Sequence, residues 1–396
     1  MHPVRTLTLR VVAAELIAIA ALMLTATVSA AFPNPILDKD RRTEDPGVLF
    51  DGGAYYVAST GGLMPIRSSR TFPADPRNWD DAGSVLGQAP AWADPSCSFW
   101  APDIYPPDTF RPNVGLYVAY YSGVPARTRG RGGPKPKKGQ CRRKKGERRP
   151  DRCIGRATSK QPNGPFVDDS NPLCGSGAGR RTIDPALFVD PKPRPGAARL
   201  YLLYKNDPPR NEGTKEIVIR SIPDDGALRR KELGPARHIL RPTQPWEGRS
   251  VEAPTMVYNE ASSRPYYLFY SGNSYRTDKY AVGIARSNSP LGLDATGDPD
   301  TQGRDFEKRP VRESNNPKPA NPILSADRDT SFCGAGHQDV VPETSLMFYH
   351  AYGFRQEGQP PQDKEERCLG FRRLMVDTIK WEDGWPNVND GTPSNE

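Results

Sequence analysis

Apolar residues in this chain come in short bursts, and no long stretch repeats them at helical spacing. The bursts come in pairs. Asp45-Pro46-Gly47-Val48-Leu49-Phe50 precedes Tyr55-Tyr56-Val57-Ala58, and Ala101-Pro102-Asp103-Ile104-Tyr105 precedes Leu116-Tyr117-Val118-Ala119-Tyr120. Asp184-Pro185-Ala186-Leu187-Phe188 leads into Leu200-Tyr201-Leu202-Leu203-Tyr204. Glu252-Ala253-Pro254-Thr255-Met256-Val257 leads into Tyr266-Tyr267-Leu268-Phe269-Tyr270, and Gly336-His337-Gln338-Asp339-Val340 into Leu346-Met347-Phe348-Tyr349-His350. Short apolar runs bounded by turn residues are strand signals. Five copies, spaced by roughly 60 to 85 residues, predict five repeats of one β unit.

A second level of repetition supports this. Ile154-Gly155-Arg156-Ala157-Thr158-Ser159 with its Asn163-Gly164-Pro165 turn resembles Val282-Gly283-Ile284-Ala285-Arg286-Ser287 followed by Ser289-Pro290-Leu291-Gly292. Asn34-Pro35-Ile36-Leu37 returns as Asn321-Pro322-Ile323-Leu324. With 43 prolines and 36 glycines in 396 residues, each unit is expected to hold about four short strands. Four-stranded sheets set radially make a β-propeller. The expected fold is therefore all-β, a five-bladed propeller. It would bring Asp45, Asp103, Asp184, Glu252 and His337 to one mouth of a central channel.

The ends and the charge refine the picture. Residues 1–30 read as a secretory signal: Arg5 and Arg10, an apolar core from Leu16 to Leu24, and Val28-Ser29-Ala30 as a cleavage site. Residues 31–396 are then one propeller domain in a secreted protein. Six cysteines, Cys97, Cys141, Cys153, Cys174, Cys333 and Cys368, fit disulfides in an exported chain. Cys141–Cys153 and Cys333–Cys368 are the expected local pairs. No CxxC pair marks a zinc site. The net charge is +8, but residues 127–152 alone carry +11, and +8 less +11 leaves −3 for the rest. That stretch reads as a disordered solvated insertion in blade two. It is also a place where an acidic polymer such as pectin would be attracted. It lacks the interleaved aromatics of a nucleic-acid surface, so no nucleic-acid partner is expected.

Carboxylates gathered in one concavity raise one another's pKa. Glycoside hydrolysis uses that, since one acid must hold a proton while another stays ionised. Inverting enzymes separate the two by about 6.5–9.5 Å. Trp92, Phe99, Trp100, Tyr105 and Tyr275 are candidate sugar-stacking rings.

On these residues the chain resembles glycoside hydrolase family 43, the five-bladed arabinanases, arabinofuranosidases and xylosidases. The likeness runs from Asn34-Pro35-Ile36-Leu37 to Trp381-Glu382-Asp383-Gly384-Trp385-Pro386. It implies that Asp45 is the general base, that Asp184 tunes and orients the acid, and that Glu252, in Glu252-Ala253-Pro254, is the general acid. Trp100, Asp103 and His337 are implied to be substrate-facing, with His337 near calcium or another ion on the propeller axis. Arg286 is expected to reach in from its strand toward the acids. Trp381 and Trp385 are expected to close the ring. No cofactor is expected for the chemistry itself. The implied activity is an inverting, exo-acting α-L-arabinofuranosidase or β-xylosidase on arabinan or arabinoxylan, acting as a monomer. An endo-arabinanase and a non-catalytic carbohydrate-binding propeller are the alternatives. Two features depart from the family pattern: the basic insertion, and Gln338-Asp339 after His337.

Overall fold

The structure, a computed structural model, describes residues 32–394 except 38–40, 127–140, 142–149, 170, 176–179, 209–212, 293–305, 312–319, 326–331, 353–367 and 369. The expected signal segment and most of the basic insertion lie outside the described residues.

Five antiparallel sheets follow one another along the chain. Their first strands are Glu44–Asp51, Trp100–Tyr105, Arg181–Val189, Val251–Tyr258 and Cys333–Val341. Each pairs with the next strand in sequence, then a third, then a short fourth. Every first strand packs against the first strands of its two neighbours, and the fifth meets the first. The protein is thus a five-bladed β-propeller whose first strands line the axis.

The strands carry alternate side chains to opposite faces, so each blade is apolar on both faces and is buried by its neighbours. Five apolar clusters result, one at each blade junction. Trp381 and Trp385 do not close the ring between the chain ends. They pack edge-on against Tyr267, between blades four and five. Closure between blades five and one is made by the segment before the first strand, where Phe32, Ile36 and Leu37 enter the cluster with Phe348 and Val376. Asn34 fixes it there. Its side chain donates to Val376 O (2.9 Å) and Ser394 Oγ (2.8 Å) and accepts from Val376 N–H (2.9 Å). Asn321 does the same inside blade four, bonding both backbone groups of Ile284 (3.0 Å each).

The disulfides are Cys97–Cys141, Cys153–Cys174 and Cys333–Cys368. The last agrees with the expectation, and Cys141–Cys153 is corrected. Cys153 opens the third strand of blade two, and its cross-strand partner is Cys174, which puts the two Cα atoms 4.3 Å apart. Cys141 instead anchors the basic insertion to the loop before blade two.

Candidate active site

One local device builds the site five times. Each first strand breaks register with its partner: between Glu44 and Gly47, Trp100 and Asp103, Ile183 and Ala186, Glu252 and Thr255, Gly336 and Asp339. At the break stands a residue with positive φ: Asp45 (52°), Ala101 (45°), Asp184 (55°), Ala253 (50°) and His337 (52°). A bulge bends the strand and re-aims its side chains, and left-handed backbone at a non-glycine residue costs about 1–2 kcal/mol. Five such residues around one axis mark a place where local strain is tolerated.

The five polar residues singled out from the sequence therefore do not share one register. Asp45, Asp184 and His337 sit on the bulge. Glu252 stands one residue before it, level with Trp100 and Glu44. Asp103 lies two residues beyond it, level with Asp339, and so deeper along the axis. Asp45, Asp184, Glu252 and His337 are brought together at the mouth. Asp103, Asp184, His337, Gln338 and Asp339 line the narrow cavity beneath.

Asp45 is held as a carboxylate. Burial acts to raise its pKa, but Arg372, His337, His350 and the Thr60 hydroxyl outweigh it and keep it well below the usual range. Arg372 Nη1 donates to Oδ1 at 2.6 Å, Thr60 Oγ1 to Oδ2 at 2.7 Å, and His337 Nδ1 lies 3.2 Å from Oδ1. The Asp45 backbone N–H donates to Nδ1 of the fully buried His350 (3.2 Å). Burial and Arg372 push the His350 pKa far down, so that ring is neutral and its Nδ1 is an acceptor.

Glu252 accepts from the Tyr280 hydroxyl on Oε1 (2.7 Å) and from the Lys205 ammonium on Oε2. Lys205 lies in blade three and is buried. Burial raises the Glu252 pKa, yet Lys205, Tyr280 and His337 together hold it below the ordinary glutamate value. Asp184 lies between, its Oδ2 accepting from Ala253 N–H (3.3 Å). Burial, with the charges of Glu252 and Asp45, pushes Asp184 up to about 6 against His337 and Lys205. Two carboxyls this closely linked titrate as a pair. Asp184, raised, therefore holds a proton more readily than Glu252, which Lys205 keeps low.

Trp100 stands at the mouth, but one of its faces is covered by the Arg152 guanidinium, whose carbon lies 3.1 Å from the ring centroid. Arg152 was expected within a solvated insertion and is instead almost fully buried. Of the other candidate rings, Trp92 and Phe99 pack on Tyr121 in the core, and Tyr105 bonds Asp103. Tyr275 lies beside Arg372 at the mouth. Arg286 does not reach the acids. It pairs with Tyr267, at the opposite end of blade four from the Glu252–Ser271 pair. There it donates to Glu307 and Gly384 O and stacks on Trp385.

The axial ion implied for His337 finds no closed set of protein ligands. Among the described residues the one group of three ligand atoms within 4.8 Å of one another is Asp94, Cys97 and Cys141. Its two cysteines are bonded to each other. His337 Nδ1 is directed at Asp45.

Sequence reasoning missed Lys205, Tyr280, His350 and Arg372. Each lies outside the first strands, where no repeat pattern singled it out.

The sequence profile of glycosyl hydrolases family 43 matches residues 32–386. None of the curated proteins matches. Among solved structures, a thermostable family-43 glycoside hydrolase superposes with a TM-score of 0.64 at 22% identity, covering 92% of this chain and 98% of that one. An α-L-arabinofuranosidase from Lactobacillus brevis gives 0.58 at 19% identity, over 92% and 97%. A family-43 endo-arabinanase from Bacillus licheniformis gives 0.55 at 22% identity, over 90% and 100%. At these identities the likeness is one of fold.

Proposed function

Since the chain belongs to glycosyl hydrolases family 43 and is a glycoside hydrolase, we propose that it releases arabinose or xylose from plant cell-wall polysaccharide with inversion. Glu252 is the acid, Asp45 the base, and Asp184 the group that shares its proton with the acid. The observation that carries this reading is the opposed state of the two ends of the site. Asp45 is clamped as an anion by Arg372, Thr60 and His337. Glu252 and Asp184 are buried side by side, and Asp184, pushed up to about 6, keeps a proton beside the acid at mildly acidic pH. Acid–base catalysis needs that difference in protonation between the two sides of the bond.

A sugar entering the mouth displaces water around Glu252, and desolvation favours its protonated form. The proton held with Asp184 passes to Glu252 and then to the leaving glycosidic oxygen. Asp45 takes a proton from the attacking water, and Arg372 keeps the carboxylate oriented. Exo action is the preferred mode, because the phrase Tyr267-Leu268-Phe269-Tyr270-Ser271-Gly272-Asn273 after the acid resembles the exo-acting members. Export to an oxidising compartment is part of the proposal, supported by the pairing of all six cysteines.

The test is hydrolysis of p-nitrophenyl α-L-arabinofuranoside and β-D-xylopyranoside beside linear arabinan with its products sized. Monosaccharide release alone supports the exo reading and names the sugar. Oligomers from arabinan with little turnover of the small substrates support an endo-arabinanase. A folded sample that binds these glycans and releases nothing overturns the hydrolytic assignment.

A further inference from the structure

Two cations near the mouth have no carboxylate within ion-pair distance among the described residues. Arg372 is paired with both Asp45 and Glu44, Lys205 with Glu252 and Arg181 with Asp207. Asp184 is pushed up to about 6, chiefly by burial. Arg152 and Lys215 remain. Arg152 directly precedes the third strand of blade two, at the end of the blade that carries Trp100. It is tied across the blade junction by Arg152 N–H to Arg180 O (3.3 Å) and Thr182 N–H to Arg152 O (3.0 Å). That sets it beside Arg181, on the same Trp100 ring at 5.9 Å. Arg152 is 4% exposed. Its Nη1 donates to one neutral acceptor, Ser98 O (3.2 Å), and its Nε finds none among the described residues. Burial and Arg181 push its pKa down to about 9, against the pull of Asp184 and Asp45. Lys215 bridges to Ser250, next to the strand that bears Glu252. Burial and Lys205 depress its ammonium against the pull of Asp207 and Glu252, and no described carboxylate lies within ion-pair distance of it.

A buried guanidinium with one carbonyl acceptor is costly. The arginine fork suits a carboxylate, which it binds through two parallel hydrogen bonds. A site built only for neutral pentoses gains nothing from cations left without an ion-pair partner. A negatively charged glycan approaching three acids is attracted by them.

We propose that Arg152 and Lys215 recognise a carboxylate of the substrate, so that the preferred glycan carries uronate residues next to the sugar that is cleaved. This rests on the glycosidase reading above and names its substrate class.

The test separates binding from cleavage. Glucuronate-substituted xylo-oligosaccharides and galacturonate-containing pectic oligosaccharides are titrated by calorimetry at low salt into the Glu252→Gln/Lys205→Met protein, in which neither member of that ion pair is charged. The same oligosaccharides after chemical reduction of their carboxyl groups are the neutral controls. In at least one series the acidic form is expected to bind about tenfold tighter or more than its reduced form. Arg152→Gln and Lys215→Gln should each lower affinity for the acidic form several-fold and leave the reduced form unchanged. Equal affinity for acidic and reduced forms in the parent protein overturns the proposal, as does binding of neither. Equal loss on both forms in Arg152→Gln also overturns it and makes that residue a counter-charge for Asp184. If Arg152→Gln does not fold, the parent comparison and Lys215→Gln decide. Failure of the catalytic reading shows separately, as absent hydrolysis by the wild-type protein.

Discussion

Replacing Lys205 by Met removes an ammonium and keeps most of the apolar stem. Lys205 and Glu252 form an ion pair whose side chains are 4% and 11% exposed. Removing one partner of such a pair costs about 3–5 kcal/mol when the other stays charged. The Tyr280 hydrogen bond remains and Glu252 can take up a proton, so the lower end, about 3 kcal/mol, is expected at pH 8. In the wild type Glu252 lies below its ordinary value. Its stabilising contribution is therefore present above the unfolded-state pKa and is lost as pH falls through the folded one. Without Lys205 burial dominates, the folded pKa rises, and the sign reverses. The variant is then weakest at high pH and recovers as pH falls, to a deficit of about 1 kcal/mol at pH 5, the size of one lost hydrogen bond. Urea unfolding of both proteins at pH 5 and pH 8 reads this directly. Activity should respond in the same sense. The alkaline limb of kcat/KM reports the proton shared by Glu252 and Asp184, and Lys205 depresses both groups, so the limb should move to higher pH in Lys205→Met. Equal destabilisation at the two pH values together with an unmoved limb would refute the reasoning.

Other outcomes follow from the same geometry. Glu252→Gln and Asp45→Asn should each lower kcat by at least about 100-fold, while circular dichroism stays unchanged. The Glu252 loss should be smaller on a p-nitrophenyl leaving group than on a natural glycan. The wild-type kcat/KM should fall as pH rises through about 6, where the buried pair loses its proton. No matching acid limb is expected in the ordinary range, because Asp45 titrates far below it. Arg286→Ala, at the far end of blade four, should leave kcat/KM within about twofold, as expected of a substitution away from the site. Asn34→Ala removes three hydrogen bonds and strands both backbone groups of the buried Val376. It should cost about 2–4 kcal/mol in urea unfolding.

The sequence disclosed what repeats. Five turn-bounded strand pairs were enough for the propeller, and the doubled glycine pattern has a cause in packing. A Cβ at Gly155 would meet Trp92 at 2.7 Å, and one at Gly283 would meet Trp246 at 2.7 Å, so both third strands must pass beneath a tryptophan. The expected convergence of polar leads was correct in outline and wrong in register. Bulges shift strands by single residues, and nothing in the spacing of Asp103 from Pro102 reveals that it faces down the channel while Glu252 faces the mouth. Arg286 was misplaced for a related reason: a strand pattern gives the face of a residue but not which end of the blade it occupies. Lys205, His350, Arg372 and Arg152 were unreadable because each acts through a contact distant in sequence, as Arg372 does with Asp45 across 327 positions. Arg152 was further masked by composition, since it ends a run of basic residues. The disulfide expectation failed where it relied on closeness in sequence, because Cys153 pairs across strands with Cys174.

The stereochemistry of the first product tests the central claim most directly. Proton NMR should follow the anomeric signal during early turnover of whichever p-nitrophenyl glycoside is cleaved. A separate water-activating Asp45 and proton-donating Glu252 predict that the first sugar released has the opposite anomeric configuration to the substrate, with the retained form arising later by mutarotation. Release of the retained anomer first would contradict the account, because it requires a carboxylate bonded to the sugar rather than one that activates water.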